Sequence, residues 1–235
     1  MSVVYVIPSV LAENAVQTIL PYTIDAVKNC QVFFVENERT ARRFLKSIWK
    51  EMVIDDYEWV AIHKAEDAVK NKFGQLLRNG KNIGIISEAG CPGVADPGQA
   101  LIAVAHREKA IVKPLVGPSS ILLALMAGGL NGQQFRFNGY LPIDNAEKIK
   151  AVKQLEQQSA KNNCTEIFIE TPYRNNQMLE TILKNCQPNT LLSIAADITS
   201  EEEWIKTQTI AEWRKDIPQL HKKLVIFSLL SGLSR

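Results

Sequence analysis

The chain has 235 residues, 46% of them hydrophobic, which suffices for one large domain or two modest ones with a real core. Its net charge of +2 excludes a strong field directed at nucleic acid, although a local basic patch stays open. Four cysteines with no CxxC pair and no cysteine–histidine spacing that suits zinc exclude a zinc module and read as reduced, cytoplasmic thiols.

The N-terminal stretch MSVVYVIPSVLAEN lacks a basic leader, and Pro8 and Glu13 interrupt it. It reads as a strand and loop rather than a signal peptide. No run approaches the roughly 20 apolar residues of a membrane span. Val3 to Ile7 is a first strand. Leu11 to Val27 has apolar positions at helical spacing, but Pro21 must start, kink or break that helix. Gln31 to Val35 is a second strand. Glu38 to Trp49 is a helix with Ala41, Phe44, Leu45 and Ile48 on one side. Tyr57 to Ile62 is a strand, and Ala65 to Arg78 a helix closed by Asn79-Gly80. The strand Ile83 to Ile86, the helix Gln99 to Glu108, the strand Ile111 to Leu115 and the helix Ile121 to Ala127 follow. Strands alternating with helices predict a mainly parallel sheet covered on both faces.

Gly128-Gly129 and Asn131-Gly132 break this pattern, so domains 1–130 and 131–235 are expected. The second half reads as the strand Phe135 to Tyr140, helix Glu147 to Gln158, strand Thr165 to Ile169 and helix Asn175 to Lys184. The hairpin Leu191 to Ala196 with Glu203 to Gln208, the short helix Ala211 to Asp216 and the strand Leu224 to Leu229 complete it. Consecutive strands there predict a mixed sheet. The fold class is α/β with two domains, and a ligand cleft between them is the expectation.

The most informative stretch is GIISEAGCPGVADPG, Gly84 to Gly98. A buried strand runs into a loop with three glycines (Gly90, Gly93, Gly98), two prolines and the carboxylates Glu88 and Asp96. In open α/β sheets ligands bind beyond the carboxyl ends of strands. The loop is no P-loop, because no Gly-Lys-Ser/Thr follows and no lysine lies between Lys81 and Lys109. It lacks G-x-G-x-x-G and G-x-S-x-G. The three histidines, His63, His106 and His221, have no neighbours at ligand spacing, so no metal is expected. What is left suits a neutral or positively charged ligand better than a phosphate. Pro8-Ser9, Gly117-Pro118-Ser119-Ser120, Glu170 to Arg174 and Asp197 to Ser200 also follow strands. Each alone has a structural reading, as a helix start, an N-cap or a surface ion pair; their shared placement favours a site.

Taken in order, the segments IPS, ISEAGCPGVADPG, PLVGPSSILLALMAGGL, FNGYLP, FIETPYR and ADITSEEEW span nearly the whole chain. In them the sequence resembles the tetrapyrrole methylase superfamily of S-adenosylmethionine-dependent methyltransferases. GYLP and ETPYR favour the branch that methylates a cytidine ribose 2′-oxygen in small-subunit ribosomal RNA. The resemblance implies two α/β domains with S-adenosylmethionine in the cleft between them, and a homodimer. It places Pro8, Ser87, Glu88, Ala89, Gly90, Cys91, Val94, Ser119, Ser120, Tyr140, Glu170 and Ile198 around the cofactor. Glu36 or Glu38 is the expected base, with Arg39 and Arg174 as substrate contacts. Against the branch's acidic-acidic-Thr-Arg stretch the chain has Glu36-Asn37-Glu38-Arg39, and its His-rich stretch is reduced to His63 with Glu66 nearby. Arg39, Arg43, Lys46 and Lys50 share one helix side, either a solvated face or a strip that contacts RNA phosphates. A small-molecule acceptor such as a tetrapyrrole precursor, or a binding module with a decayed site, are the alternatives.

Overall fold

The computed structural model describes residues 1–62 and 67–232. The chain divides into two compact units, Met1–Ser119 and Ser120–Arg235.

The first unit holds strands β1 (Val3–Ile7), β2 (Val32–Val35), β3 (Glu58–Ala61), β4 (Ile83–Ile86) and β5 (Ile111–Pro114). Its helices are α1 (Thr23–Lys28), α2 (Glu38–Ile48), α3 (Asp67–Arg78) and α4 (Gly98–Arg107). The strands form one parallel sheet in the order β3-β2-β4-β1-β5. Period-2 alternation sends successive side chains to opposite faces, and both faces are covered. Tyr5, Ile7, Phe33, Val35 and Ile86 pack with Val27 of α1 and Phe44 and Leu45 of α2. Val4, Val32, Phe34, Ile83 and Ile85 pack with Phe73 of α3 and Leu101 and Val104 of α4. Gly84 sits mid-strand because a Cβ there would lie 2.6 Å from the Phe33 ring and 2.9 Å from Ile7.

The stretch from Leu11 does not form one helix. A single 3-10 turn, Val16–Thr18, precedes Pro21, and α1 begins only beyond it. Proline supplies no N–H and its ring crowds the preceding turn, so the helical spacing is overridden. His63, Glu66 and the expected helix start at Ala65 lie outside the described residues.

The second unit opens with α5 (Ser120–Gly128), followed by β6 (Phe135–Tyr140), α6 (Asn145–Asn162), β7 (Thr165–Ile169) and α7 (Asn175–Asn185). It closes with β8 (Leu191–Ala196), β9 (Trp204–Thr209), α8 (Ile210–Trp213) and β10 (Val225–Leu230). The sheet is mixed, in the order β6-β7-β10-β8-β9: β6 and β7 are parallel, and the other pairs antiparallel. One face packs Phe168, Leu192, Ile194, Phe227 and Leu229 against α6, α7 and α8. Trp213 is buried there and its Nε1–H donates to the Leu192 carbonyl at 2.8 Å.

The helix α5 packs on β8, β9 and β10. Gly128 lies close over Ser193, and its carbonyl accepts the Thr207 hydroxyl at 2.7 Å. The unit boundary therefore falls at Ser119–Ser120, ahead of the glycine-rich break where 130 and 131 were expected to divide. The Gly128-Gly129 break ends a helix; it does not separate the units.

Candidate active site

In the first unit, β1, β2 and β4 end level with one another, Ile7 and Val35 both standing opposite Ile86. The residues that follow each strand therefore meet at one sheet edge: Pro8-Ser9, Glu36 and Ser87-Glu88. Ser9 and Gly90 exchange backbone hydrogen bonds, Ser9 N–H to Gly90 O at 2.9 Å and Gly90 N–H to Ser9 O at 3.2 Å. The Ser9 hydroxyl donates to Ser87 O at 3.0 Å, and the Ser87 hydroxyl to Ala89 O and Gly90 O at 3.3 Å. The Cys91 thiol donates to Pro118 O at 3.4 Å, which ties this loop to the one after β5. Gly117 is required there, because a Cβ would lie 2.2 Å from the Pro8 ring. The Asp96 carboxylate accepts Gly93 N–H at 2.9 Å and Gly98 N–H at 2.6 Å, folding the loop back into α4. Val94 is half exposed at the loop tip, and Ser119 ends the unit.

In the second unit the carboxyl ends of β6, β7 and β8 also share an edge. Tyr140 stands opposite Ile169, Ile169 opposite Ile226 and Ala196 opposite Val225. Tyr140, Glu170 and Ile198 lie there, Tyr140 exposed and the other two buried. Glu170 Oε1 accepts Thr171 N–H at 2.7 Å and Arg174 Nε and Nη2 at 3.0 and 2.7 Å. Its Oε2 is buried with no donor among the described residues. Ile198 is flanked by Asp197 and Thr199, both with positive φ (50° and 71°). Asp197 holds that turn by accepting Lys223 Nζ at 2.7 Å and Leu224 N–H at 2.9 Å. Ser120 opens α5.

A family model described as Tetrapyrrole (Corrin/Porphyrin) Methylases matches residues 21–213. The chain belongs to the tetrapyrrole methylases. The ribosomal RNA small subunit methyltransferase I of Buchnera aphidicola subsp. Schizaphis graminum is 27% identical over 97% of this chain and 78% of its own length. The proteins of the same name from Vibrio cholerae and Synechocystis sp. are 27% and 33% identical over 89% and 64% of this chain, and 69% and 54% of their own lengths. The crystal structure of the methyltransferase CobJ has a similar fold, with a TM-score of 0.65 at 15% identity over 100% of this chain and 95% of that one. The uroporphyrin-III-C-methyltransferase of Thermus thermophilus follows, with a TM-score of 0.56 at 14% identity over 98% and 93%.

The methylase carries two half-buried carboxyls at its first sheet edge. Burial pushes the Glu36 carboxyl up, with the charges of Asp96 and Glu88 adding to it and the Glu88 N–H opposing it. Burial pushes Asp96 up as well, against the N–H groups of Gly93 and Gly98. Burial also raises the Cys91 thiol, with Asp96 contributing, so Cys91 is a neutral donor. Glu38 is paired with Arg42 at 2.9 Å. Two of the four cations expected as a basic strip on α2 are engaged: Arg43 pairs with Glu13 at 3.0 Å, and Lys46 Nζ donates to the carbonyls of Lys50 and Met52 at 2.5 and 2.9 Å. The Arg39 guanidinium is exposed and has no partner among the described residues. Arg174, expected at the substrate, is committed to Glu170. Ser9 and Asp96, which the sequence reading names only as a strand-end residue and a loop carboxylate, are the residues that fix the loop. Their signal was position, one beside Pro8 and the other inside the glycine-rich loop. Among the described residues no three His, Cys, Asp or Glu side chains gather as metal ligands, and no helix is long and apolar enough to cross a membrane.

Proposed function

We propose that this methylase transfers a methyl group from S-adenosylmethionine to a ribose 2′-oxygen of small-subunit ribosomal RNA. The observation that carries the reading is the alignment of nearly the whole chain with proteins named for that RNA. The residues present suit the cofactor. The β4 loop offers backbone groups and no lysine, and Glu170 Oε2 is a buried acceptor awaiting a donor. When bound, S-adenosylmethionine supplies the electrophilic methyl group.

The protein's work is then placement. Ser87 to Cys91, with Pro8 and Val94, would hold the cofactor at the sheet edge of the first unit. Holding the acceptor oxygen in line with the methyl is worth a large share of the barrier. A ribose hydroxyl is a weak nucleophile, so an acceptor for its proton assists. Glu36 and Glu38 are the carboxylates nearest in sequence to Arg39, whose free guanidinium suits a phosphate contact that orients RNA without reading bases. Arg174 acts through Glu170, fixing its orientation. A homodimer and a cytoplasmic location belong to the same reading, the former open to sedimentation of the purified chain.

Thermal unfolding with S-adenosylmethionine and S-adenosylhomocysteine tests the cofactor. Ligand at about 100 times Kd stabilises by about 2.7 kcal/mol, which raises Tm by roughly 5 to 10 °C for this size. Incubation with unmethylated small ribosomal subunits and labelled cofactor tests the acceptor. Label in 2′-O-methylcytidine supports the reading, whereas a thermal shift without label transfer to RNA removes the acceptor and leaves the cofactor.

A further inference from the structure

Glu36 follows β2, immediately before Asn37, whose side chain accepts Arg39 N–H and Thr40 N–H and caps α2. Because Val35 stands opposite Ile86, Glu36 lies beside Ser87 and Glu88 on the neighbouring strand end. Its Oε1 accepts the Glu88 N–H at 3.0 Å. A second link runs from the same helix start, the Thr40 hydroxyl to Glu88 Oε1 at 3.5 Å. The loop is thus held at three places by groups that take its N–H donors: Glu36 at Glu88, Ser9 at Gly90, and Asp96 at Gly93 and Gly98. Between them the Ala89 and Cys91 N–H groups have no acceptor among the described residues. They are the donors left to a ligand, and their direction is set by the bonds on either side.

We propose that Glu36 is a positioning residue: its carboxylate latches Glu88 and so aims the Ala89 and Cys91 N–H groups, and it does not take the proton from the acceptor. This rests on the cofactor reading above. The reason is geometric. A base has to turn its carboxylate to the acceptor hydroxyl, whereas Glu36 commits Oε1 to the Glu88 N–H of the adjacent loop. The latch needs an acceptor oxygen at that distance; the base needs a titratable one. Gln supplies the first and not the second.

Three forms of the full chain decide it: wild type, Glu36→Ala and Glu36→Gln. A hydrogen bond to a charged acceptor is worth about 1.5–3 kcal/mol, or roughly tenfold to a hundredfold. The latch predicts that Glu36→Ala weakens S-adenosylhomocysteine binding at least tenfold and raises KM for the cofactor with it. Glu36→Gln recovers most of that loss, to within a few-fold of wild type. Hydrogen exchange at the Glu88 amide, measured on the ligand-free protein, is faster in Glu36→Ala and partly restored in Glu36→Gln. A Glu36→Gln form that binds normally while kcat falls a hundredfold overturns the latch and makes Glu36 the base. Unchanged Glu88 exchange in Glu36→Ala also overturns it. If wild type binds neither ligand, the cofactor reading fails, and the exchange result still decides whether the latch exists.

Discussion

At the scale of single residues, the β4 loop is governed by two carboxylates doing different work. Asp96 closes the loop on itself through Gly93 and Gly98. Asp96→Ala leaves both N–H groups without their acceptor and should cost about 2 kcal/mol in urea unfolding, with weaker binding of S-adenosylhomocysteine. Glu36 faces the neighbouring acids, and burial raises its pKa above the ordinary 4.5. The native state therefore holds a proton that the unfolded chain has released, so the contribution of Glu36 to stability is present below about pH 4.5 and is lost as pH rises through its folded value. The Tm difference between wild type and Glu36→Gln should accordingly move against wild type as pH rises above about 4.5. A difference independent of pH would show that Glu36 titrates normally. Such carboxylate partners are invisible in a linear sequence, since 52 positions separate Glu36 from Glu88. Only strand register joins them.

At the scale of elements, Asn37 explains a departure that composition left open. It stands where related sequences were expected to carry an acid, and it caps α2 through two N–H groups. Asn37→Ala should cost about 1 kcal/mol and Asn37→Asp should restore it, as read by chemical denaturation. Gly84→Ala, in the central strand, should destabilise by about 1–3 kcal/mol through overpacking on Phe33 and Ile7. Strand positions were legible because short apolar, β-rich runs survive in the sequence: β1, β4, β6, β7 and β8 fall where those runs placed them. The segment from Leu11 was legible in part: Pro21 was expected to start, kink or break its helix, and α1 starts only beyond it. The unit boundary was not legible. A Gly-Gly pair signals a helix stop, and nothing in it tells which sheet the preceding helix covers. In the site, the loops that follow strands could be read off directly. The hydrogen bonds that fix them, from Ser9 and Asp96 above all, depend on which strands are neighbours.

At the scale of the whole molecule, the net charge of +2 and the pairing of Arg43 with Glu13 leave little to attract an RNA backbone at long range. Affinity for ribosomal subunits should fall only shallowly with salt. Arg39→Ala should reduce the slope of log K against log salt by about 0.7–0.9, lower methyl transfer, and leave S-adenosylhomocysteine binding nearly unchanged. An equal loss of cofactor affinity would place Arg39 at the cofactor instead. One further feature concerns neither ligand. Beneath α5, Ser193 and Ser228 face each other across β8 and β10, buried, with hydroxyls lacking partners among the described residues. Alanine at either position fits the same space without a stranded hydroxyl, which is neutral or stabilising when nothing is left unpaired. The second unit thus tolerates hardening at strand positions that are not among the candidate site residues, so thermal tolerance and methyl transfer are traits that selection, or a protein engineer, can alter one at a time.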